Sequence, residues 1–264
     1  MKKALIAALL AAAGAMPMAA SAQGSRTDWS MSGNFSIVSD YRFRSISQSY
    51  KHPAVQGGFD LGHSAGFYVG TWGSSVSGNQ FTGGAGLEWD FYGGYKMDLG
   101  RNLTLDLGFI YYFYPGAKSA APLLQSYDTT EVYAGINWGG LTAKVNFAIS
   151  DSFGLIDSSG SYYADVTYVY PFSRTTNLVA HVGRSSTKNY EDANYTDYKL
   201  GVTTEALGLT WGLSYVGNTA EDDLVIRRGV PPVEVFSYSV ANASDGVRKS
   251  VSKDTVVFSV GKTF

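Results

Sequence analysis

Residues 29–44 read "WSMSGNFSIVSDYRFR", and their alternation decides the fold. Odd positions carry Trp29, Met31, Gly33, Phe35, Ile37, Ser39, Tyr41 and Phe43; even positions carry Ser30, Ser32, Asn34, Ser36, Val38, Asp40, Arg42 and Arg44. Side chains of an extended chain point to opposite faces in turn. One face is therefore apolar and the other polar over about fifteen residues, which predicts a long strand. On this reading Tyr41 and Phe43 face lipid, and Asp40, Arg42 and Arg44 face the opposite side.

The same period of two recurs down the chain. Leu87, Trp89, Phe91, Tyr95 and Met97 oppose Glu88, Asp90, Lys96 and Asp98; Leu103 to Phe113 oppose Thr104, Asp106 and Gly108. Val132, Ala134, Ile136 and Trp138 oppose Glu131, Tyr133 and Asn137, and Leu141 to Ile149 oppose Thr142, Lys144 and Asn146. Further segments set Tyr162 to Tyr170 against Asp165 and Thr167, Leu178 to Val182 against His181, and Tyr198 to Val202 against Asp197 and Lys199. Leu207 to Tyr215 and Val256 to Phe264 continue the pattern, and strands near 54–63 and 66–75 complete it, the second with no clear face. The expectation is twelve strands.

Spacing between them supplies a second, independent signal. The links alternate between long (45–53, 75–84, 115–129, 151–161, 185–196, 217–254) and short (64–65, 99–102, 139–140, 173–176, 206–207). Transmembrane barrels place short turns on one side of the membrane and longer loops on the other. Six of the seven prolines fall in these links or at strand ends, where no ladder hydrogen bond is lost. A secreted β-sandwich would bury its apolar face between sheets; long strands this rich in Trp, Tyr and Phe fit a lipid-facing belt better. The expected fold is all-β: a single antiparallel up-and-down transmembrane β-barrel.

The opening residues follow different rules. A basic start at Lys2 and Lys3, the apolar run "ALIAALLAAAGAM" and the small-x-small site Ala20-Ser21-Ala22 make a secretory signal peptide over 1–22, cleaved after Ala22. That leaves residues 23–264 as the barrel domain, exported to the bacterial outer membrane. Losing Lys2 and Lys3 lowers the basic count from 20 to 18 against 22 acids, a mature charge near −4, which argues against nucleic acid as a partner. With no cysteine there is no disulfide or thiolate chemistry.

In "SDYRFRSISQS" followed by "PAVQGGFDLGHSAGFYVGTWGS", in "GLEWDFYGGY" and in the closing "VVFSVGKTF", the chain resembles the TorF-type, porin-like Gcw_chp family of outer-membrane proteins. The resemblance covers nearly the whole mature chain and is weakest over 217–254. It implies an outer-membrane barrel with a porin role, and brings neither an established substrate nor catalytic residues. The family pattern has glycine where Ser45 stands. The end of the chain, alternating back from Phe264 to Val256, also resembles the segment by which the barrel-assembly machinery recognises its substrates.

On these faces the lumen is lined by Asp40, Arg42, Arg44, Asp60, Glu88, Asp90, Asp106, Glu131, Lys144, Asp165, His181 and Lys199. Counting Asp98, Asp197, Glu205 and Lys96 as well, ten acids face five bases, and charged walls select the opposite sign. A channel for small hydrophilic solutes or ions with a weak preference for cations is the expectation. The alternative is a closed structural or adhesion barrel acting through its loops, with the arginines paired to Asp60 on the next strand. Catalysis has little support: the chain has three histidines, no G-x-S-x-G, and carboxylates such as Glu88 and Asp90 that a wet wall would carry anyway. No metal or cofactor is expected. The charged loop 217–254 could extend outward, fold inward as a plug, or meet a partner.

Overall fold

A computed structural model of the chain describes residues 28–84, 86–119, 124–222, 224–227 and 233–264. The signal peptide and its cleavage site lie outside these residues, as do Pro122, Asp223, Arg228, Pro231 and Pro232.

Twelve strands form a closed antiparallel barrel. They are β1 (Trp29–Val38), β2 (Ala54–His63), β3 (Phe67–Ser75), β4 (Leu87–Gly100), β5 (Leu103–Phe113) and β6 (Thr129–Trp138). After them come β7 (Leu141–Ala148), β8 (Tyr162–Pro171), β9 (Thr176–Ser186), β10 (Tyr195–Ala206), β11 (Leu209–Asn218) and β12 (Thr255–Thr263). Each strand pairs with its neighbours in sequence, and β1 closes the ring by pairing with β12 from Asn34↔Thr263 to Val38↔Ser259. Two further bonds zip the seam, Phe264 N–H to the Gly33 carbonyl (2.9 Å) and Gly33 N–H to the Phe264 carbonyl (2.8 Å). Closure matters because hydrocarbon offers no partner to an unpaired backbone group.

The outer face carries Phe35, Phe59, Phe91, Phe109, Phe147, Leu200, Leu213 and Phe258, all exposed. In water this much uncovered apolar surface would be costly, since burying one such side chain is worth about 1.5–3 kcal/mol; in a bilayer the acyl chains cover it. Strand β3, whose face the alternation leaves unclear, turns Phe67 and Val69 outward and Tyr68 and Trp72 inward.

The first strand is shorter than its alternation predicts. β1 stops at Val38, and the chain turns inward to make a small hairpin, Arg42–Phe43 against Ile46–Ser47. Arg44 and Ser45 sit at its tip with φ of 46° and 64°, the two positive values of a type I′ turn. Asp40 ties the base: its Oδ2 accepts from Arg42 Nε (2.7 Å), and its Oδ1 from the hydroxyls of Ser47 (2.6 Å) and Ser49 (3.2 Å). The expectation that Tyr41 and Phe43 face lipid is therefore wrong. Tyr41 is 1% exposed, and Phe43 packs edge-on to Tyr112 and Phe153 inside the ring. Asp40, with the Arg42, Ser47 and Ser49 side chains that bond to it, holds the chain in a loop where alternation alone would extend it.

Candidate functional site: the lumen and its seal

The inward hairpin crosses the lumen at the end where the long loops lie. Its tip reaches strands on the far wall: Arg44 Nη2 donates to both carboxylate oxygens of Glu131 on β6 (2.8 and 2.7 Å). The Arg44 guanidinium also lies over the rings of Phe43 (4.7 Å) and Tyr163 (4.4 Å), where the ring faces attract a cation. Ser45 Oγ meets Asp197 on β10 at 3.4 Å. Arg42, 1% exposed, donates from Nη1 to the carbonyls of Ser45 (3.0 Å), Val251 (3.2 Å) and Lys253 (3.0 Å). One guanidinium thus joins the hairpin to the last long loop.

Apolar packing completes the seal. Ile46 and Tyr50 of the hairpin segment bury against Leu155, Tyr190, Ala193 and Tyr195, and against Tyr238 and Val251 of the final loop. Of the three fates open to residues 217–254, the part from Tyr238 to Lys253 folds inward; a second two-stranded piece, Leu224–Arg227 with Val233–Ser237, belongs to the same loop. At this end Glu88, Asp90, Glu131 and Asp197 are all buried. Tyr41 donates to Glu88 Oε1 (2.9 Å), whereas Glu88 Oε2 and Asp90 Oδ1 have no hydrogen-bond partner among the described residues.

One arrangement recurs on the wall, from the seal downward. A tyrosine on one strand lies flat across a glycine on the next, and its hydroxyl reaches a carboxylate. Tyr92 crosses Gly70 to Asp60 (2.8 Å), Tyr68 crosses Gly94 to Asp106 (2.7 Å), and Tyr163 crosses Gly183 to Asp197 (3.0 Å). A Cβ at Gly70, Gly94 or Gly183 would stand 2.6, 2.8 or 2.5 Å from the Cζ of the ring above it, so only glycine lets the ring lie down. The rings thereby thicken the wall without projecting into the lumen, which accounts for a chain rich in both Gly and Tyr. Tyr133 meets Tyr68 hydroxyl to hydroxyl, and the ammonium groups of Lys96 and Lys144 sit over the Tyr68 (4.8 Å) and Tyr133 (5.2 Å) rings.

The twelve residues expected in the lumen divide between two environments. Asp40, Arg42, Arg44, Glu88, Asp90 and Glu131 belong to the seal, whereas Asp60, Asp106, Lys144, Asp165, His181 and Lys199 are half-buried along the wall below it. The expected pairing of the arginines with Asp60 does not form. Asp60 bonds to Tyr92, and the arginines, carried inward by the hairpin, reach Asp40 and Glu131 instead. His181 Nε2 is 3.0 Å from both Asp197 and Tyr163, and its Nδ1 is 2.7 Å from Thr167 Oγ1. Hydroxyl, imidazole and carboxylate are in line there, but the neighbouring backbone N–H groups are engaged in the β8–β9–β10 ladders and supply no oxyanion donors. Among the described residues no group of three or more His, Asp or Glu converges as a metal site. The alternation missed Tyr41, Tyr68 and Tyr163, because their roles depend on which strands are neighbours and in what register.

Comparison with solved structures finds several similar chains. The KdgM porin is 6% identical and aligns over 88% of this chain and 98% of its own, with a TM-score of 0.48. The NanC porin is 11% identical over 89% and 98%, also at 0.48. A chain from work on the in-meso crystallization of membrane proteins is 9% identical over 89% and 83%, at 0.51. No curated protein matches the sequence. A family described as a bacterial protein of unknown function matches residues 22–264, and the chain belongs to that family, Gcw_chp.

Proposed function

We propose that the protein is an outer-membrane channel for small hydrophilic solutes or ions whose long-loop mouth is closed by its own inward hairpin. The observation that carries this reading is the split in the lumen. Asp60, Asp106, Lys144, Asp165, His181 and Lys199 below the seal are half-buried, whereas Asp40, Glu88, Asp90, Glu131 and Asp197 at the seal are buried. A polar, solvent-accessible bore that stops at one removable hairpin is what a gated pore requires; a barrel serving only as a scaffold has no use for it. The long loops then face outside and the short turns face the periplasm.

Below the seal the wall carries Asp60, Asp98, Asp106, Asp165 and Glu205 against Lys96, Lys144 and Lys199. Five acids against three bases favour cations weakly. Outer-membrane lipid is the surrounding partner, and the barrel-assembly machinery would read the strand that ends in Phe264. Nucleic acid and catalysis have no place in this reading, and the His181 chain serves as wall. A second reading, a closed barrel acting through its loops, draws support from Arg42, whose three carbonyl contacts bind hairpin and final loop firmly together.

Single-channel recording in a planar bilayer under a salt gradient separates the two. We expect rare steps from the refolded mature protein with a cation-leaning reversal potential, and far more frequent steps from Arg44→Gln, which frees the hairpin tip. Silence from both, with each barrel folded by heat-modifiability, would move the function to the loops. An anion-leaning reversal would mean that the arginines still line the narrowest point when the pore is open.

A further inference from the structure

The outer wall carries one feature that a uniform lipid belt does not explain. Across β5 to β10 the paired row Leu107, Ala134, Val145, Ala164, Arg184 and Thr196 runs at right angles to the strands. Its small residues, with Ala143 in the next row, leave a shallow apolar trough of about 480 Å³. Phe147 and Tyr162 bound it on the long-loop side and Trp138 and Tyr168 on the other.

An arginine stands at the end of this trough. Arg184 lies two residues from the long-loop end of β9, on the face of Leu178, Ala180 and Val182, exposed, and its guanidinium donates to Thr196 Oγ1 (3.2 Å). Lys188, also exposed, lays its stem over Gly160 beside Phe147, in the same sector. Neither cation forms an ion pair among the described residues. Cations on the lipid face of a barrel are costly toward the bilayer centre and tolerated near the interface. Two of them beside an acyl-sized trough complement a lipid whose head group is anionic; a guanidinium takes phosphate with two parallel hydrogen bonds.

We propose that this trough is a specific site for the phosphorylated glycolipid of the outer leaflet. One acyl chain lies over Ala134, Ala143 and Ala164, and a phosphate sits on Arg184 with Lys188 as second cation. The site rests on the orientation given above, with the long-loop end outward, but its test reads no current.

Native mass spectrometry of the mature barrel in detergent with added lipid A measures it directly. One lipid A should remain bound to the wild type, and Arg184→Gln should lower the retained fraction about tenfold, the loss of one charge-assisted hydrogen bond. Ala164→Phe, which fills the trough from outside and leaves the lumen untouched, should do the same. Equal retention by Arg184→Gln, or of lipid A stripped of both phosphates, would overturn the phosphate site. Phosphatidylglycerol held as well as lipid A would overturn the glycolipid assignment, and a dimer abolished by Ala164→Phe would give the trough to a second copy of the chain. Because Arg184 lies outside the lumen, a silent channel leaves a positive lipid result standing.

Discussion

At the long-loop end Asp40, Arg42, Glu88, Asp90, Glu131 and Asp197 are withdrawn from water, whereas Asp60, Asp106, Lys144, Asp165 and Lys199, farther down the same wall, keep accessible surface. The strands do not make this difference, since the polar face of each runs unbroken through both zones. The inward hairpin and final loop make it, and they change what each carboxylate needs. A carboxylate left in water needs no partner; under the seal it must find one or bear the full cost of desolvation. Glu131 has Arg44, Asp40 has Arg42, and Asp197 has Tyr163 and His181, but one oxygen each of Glu88 and Asp90 is left over. That residual cost is relieved when the hairpin leaves, which favours a seal that opens over a permanent plug.

The comparison breaks most sharply at Arg42. Arg42→Ala removes the guanidinium paired with Asp40, takes its donor from the Lys253 carbonyl and leaves the Val251 carbonyl with the Ser47 N–H alone of its two donors. Losing one partner of a buried ion pair costs roughly 3–5 kcal/mol. We expect the hairpin and residues 238–253 to lose hydrogen-exchange protection while β1–β12 keep theirs. Unchanged protection in the loop would mean that apolar packing alone holds the seal.

The wall can also be tested where it meets the seal. Gly183→Ala sets a methyl against the Tyr163 ring and 2.8 Å from Asp197 Oδ2, so the ring must lift off the wall toward Arg44. Overpacking of this kind costs about 1–3 kcal/mol. A lower midpoint of heat-modifiability is expected, with a smaller conductance in any steps that remain. Gly139→Ala, in a short turn with open space around it, is the control for a simple loss of glycine; its positive φ gives strain without a clash.

Acid should loosen the seal from its rim. Burial raises the Asp222 carboxyl, but the Ser250 and Ser252 hydroxyls and the Lys253 ammonium outweigh it and hold it below the ordinary 3.8. Hydrogen bonds from Tyr215 and Tyr198 lower Asp254 in the same direction. Depressed folded values mean that the stabilisation is present above 3.8 and is lost as pH falls below it. Both groups meet solvent, so the effect is small and screened by salt. Protection factors, which divide out the intrinsic pH dependence of amide exchange, should be lower in residues 238–253 at pH 3 than at pH 6, and equal factors would leave these carboxylates no part in docking the loop.

How much of this could be read in the residues depends on the range of the interaction. Strand number, loop alternation and the inner and outer faces follow from local rules, and they hold from β2 onward except at β3, whose face the alternation leaves open. The tyrosine–glycine–carboxylate sets join three strands and need the register. Arg184 continues the outward face of Val182, a charge where the alternation promises an apolar side chain. The inward hairpin was hidden for a different reason. A type I′ turn is normally marked by Gly or Asn, and here Arg44 and Ser45 occupy both left-handed positions.

The glycine that the resemblance implies where Ser45 stands would have a physical reason at this turn, and it yields the smallest and cleanest test. At φ 64° a Cβ is strained by about 1 kcal/mol or more, whereas glycine is at ease there. Against this gain stand glycine's larger loss of chain entropy and one long contact, Ser45 Oγ to Asp197 at 3.4 Å. Ser45→Gly should therefore tighten the hairpin by some tenths of a kcal/mol, seen as slower exchange at the hairpin amides and fewer channel openings. Faster exchange would show that the serine's grip on Asp197 outweighs the strain of the turn. The tip would then be held by its wall contact more than by its own geometry, and the hinge of the seal would belong to β10.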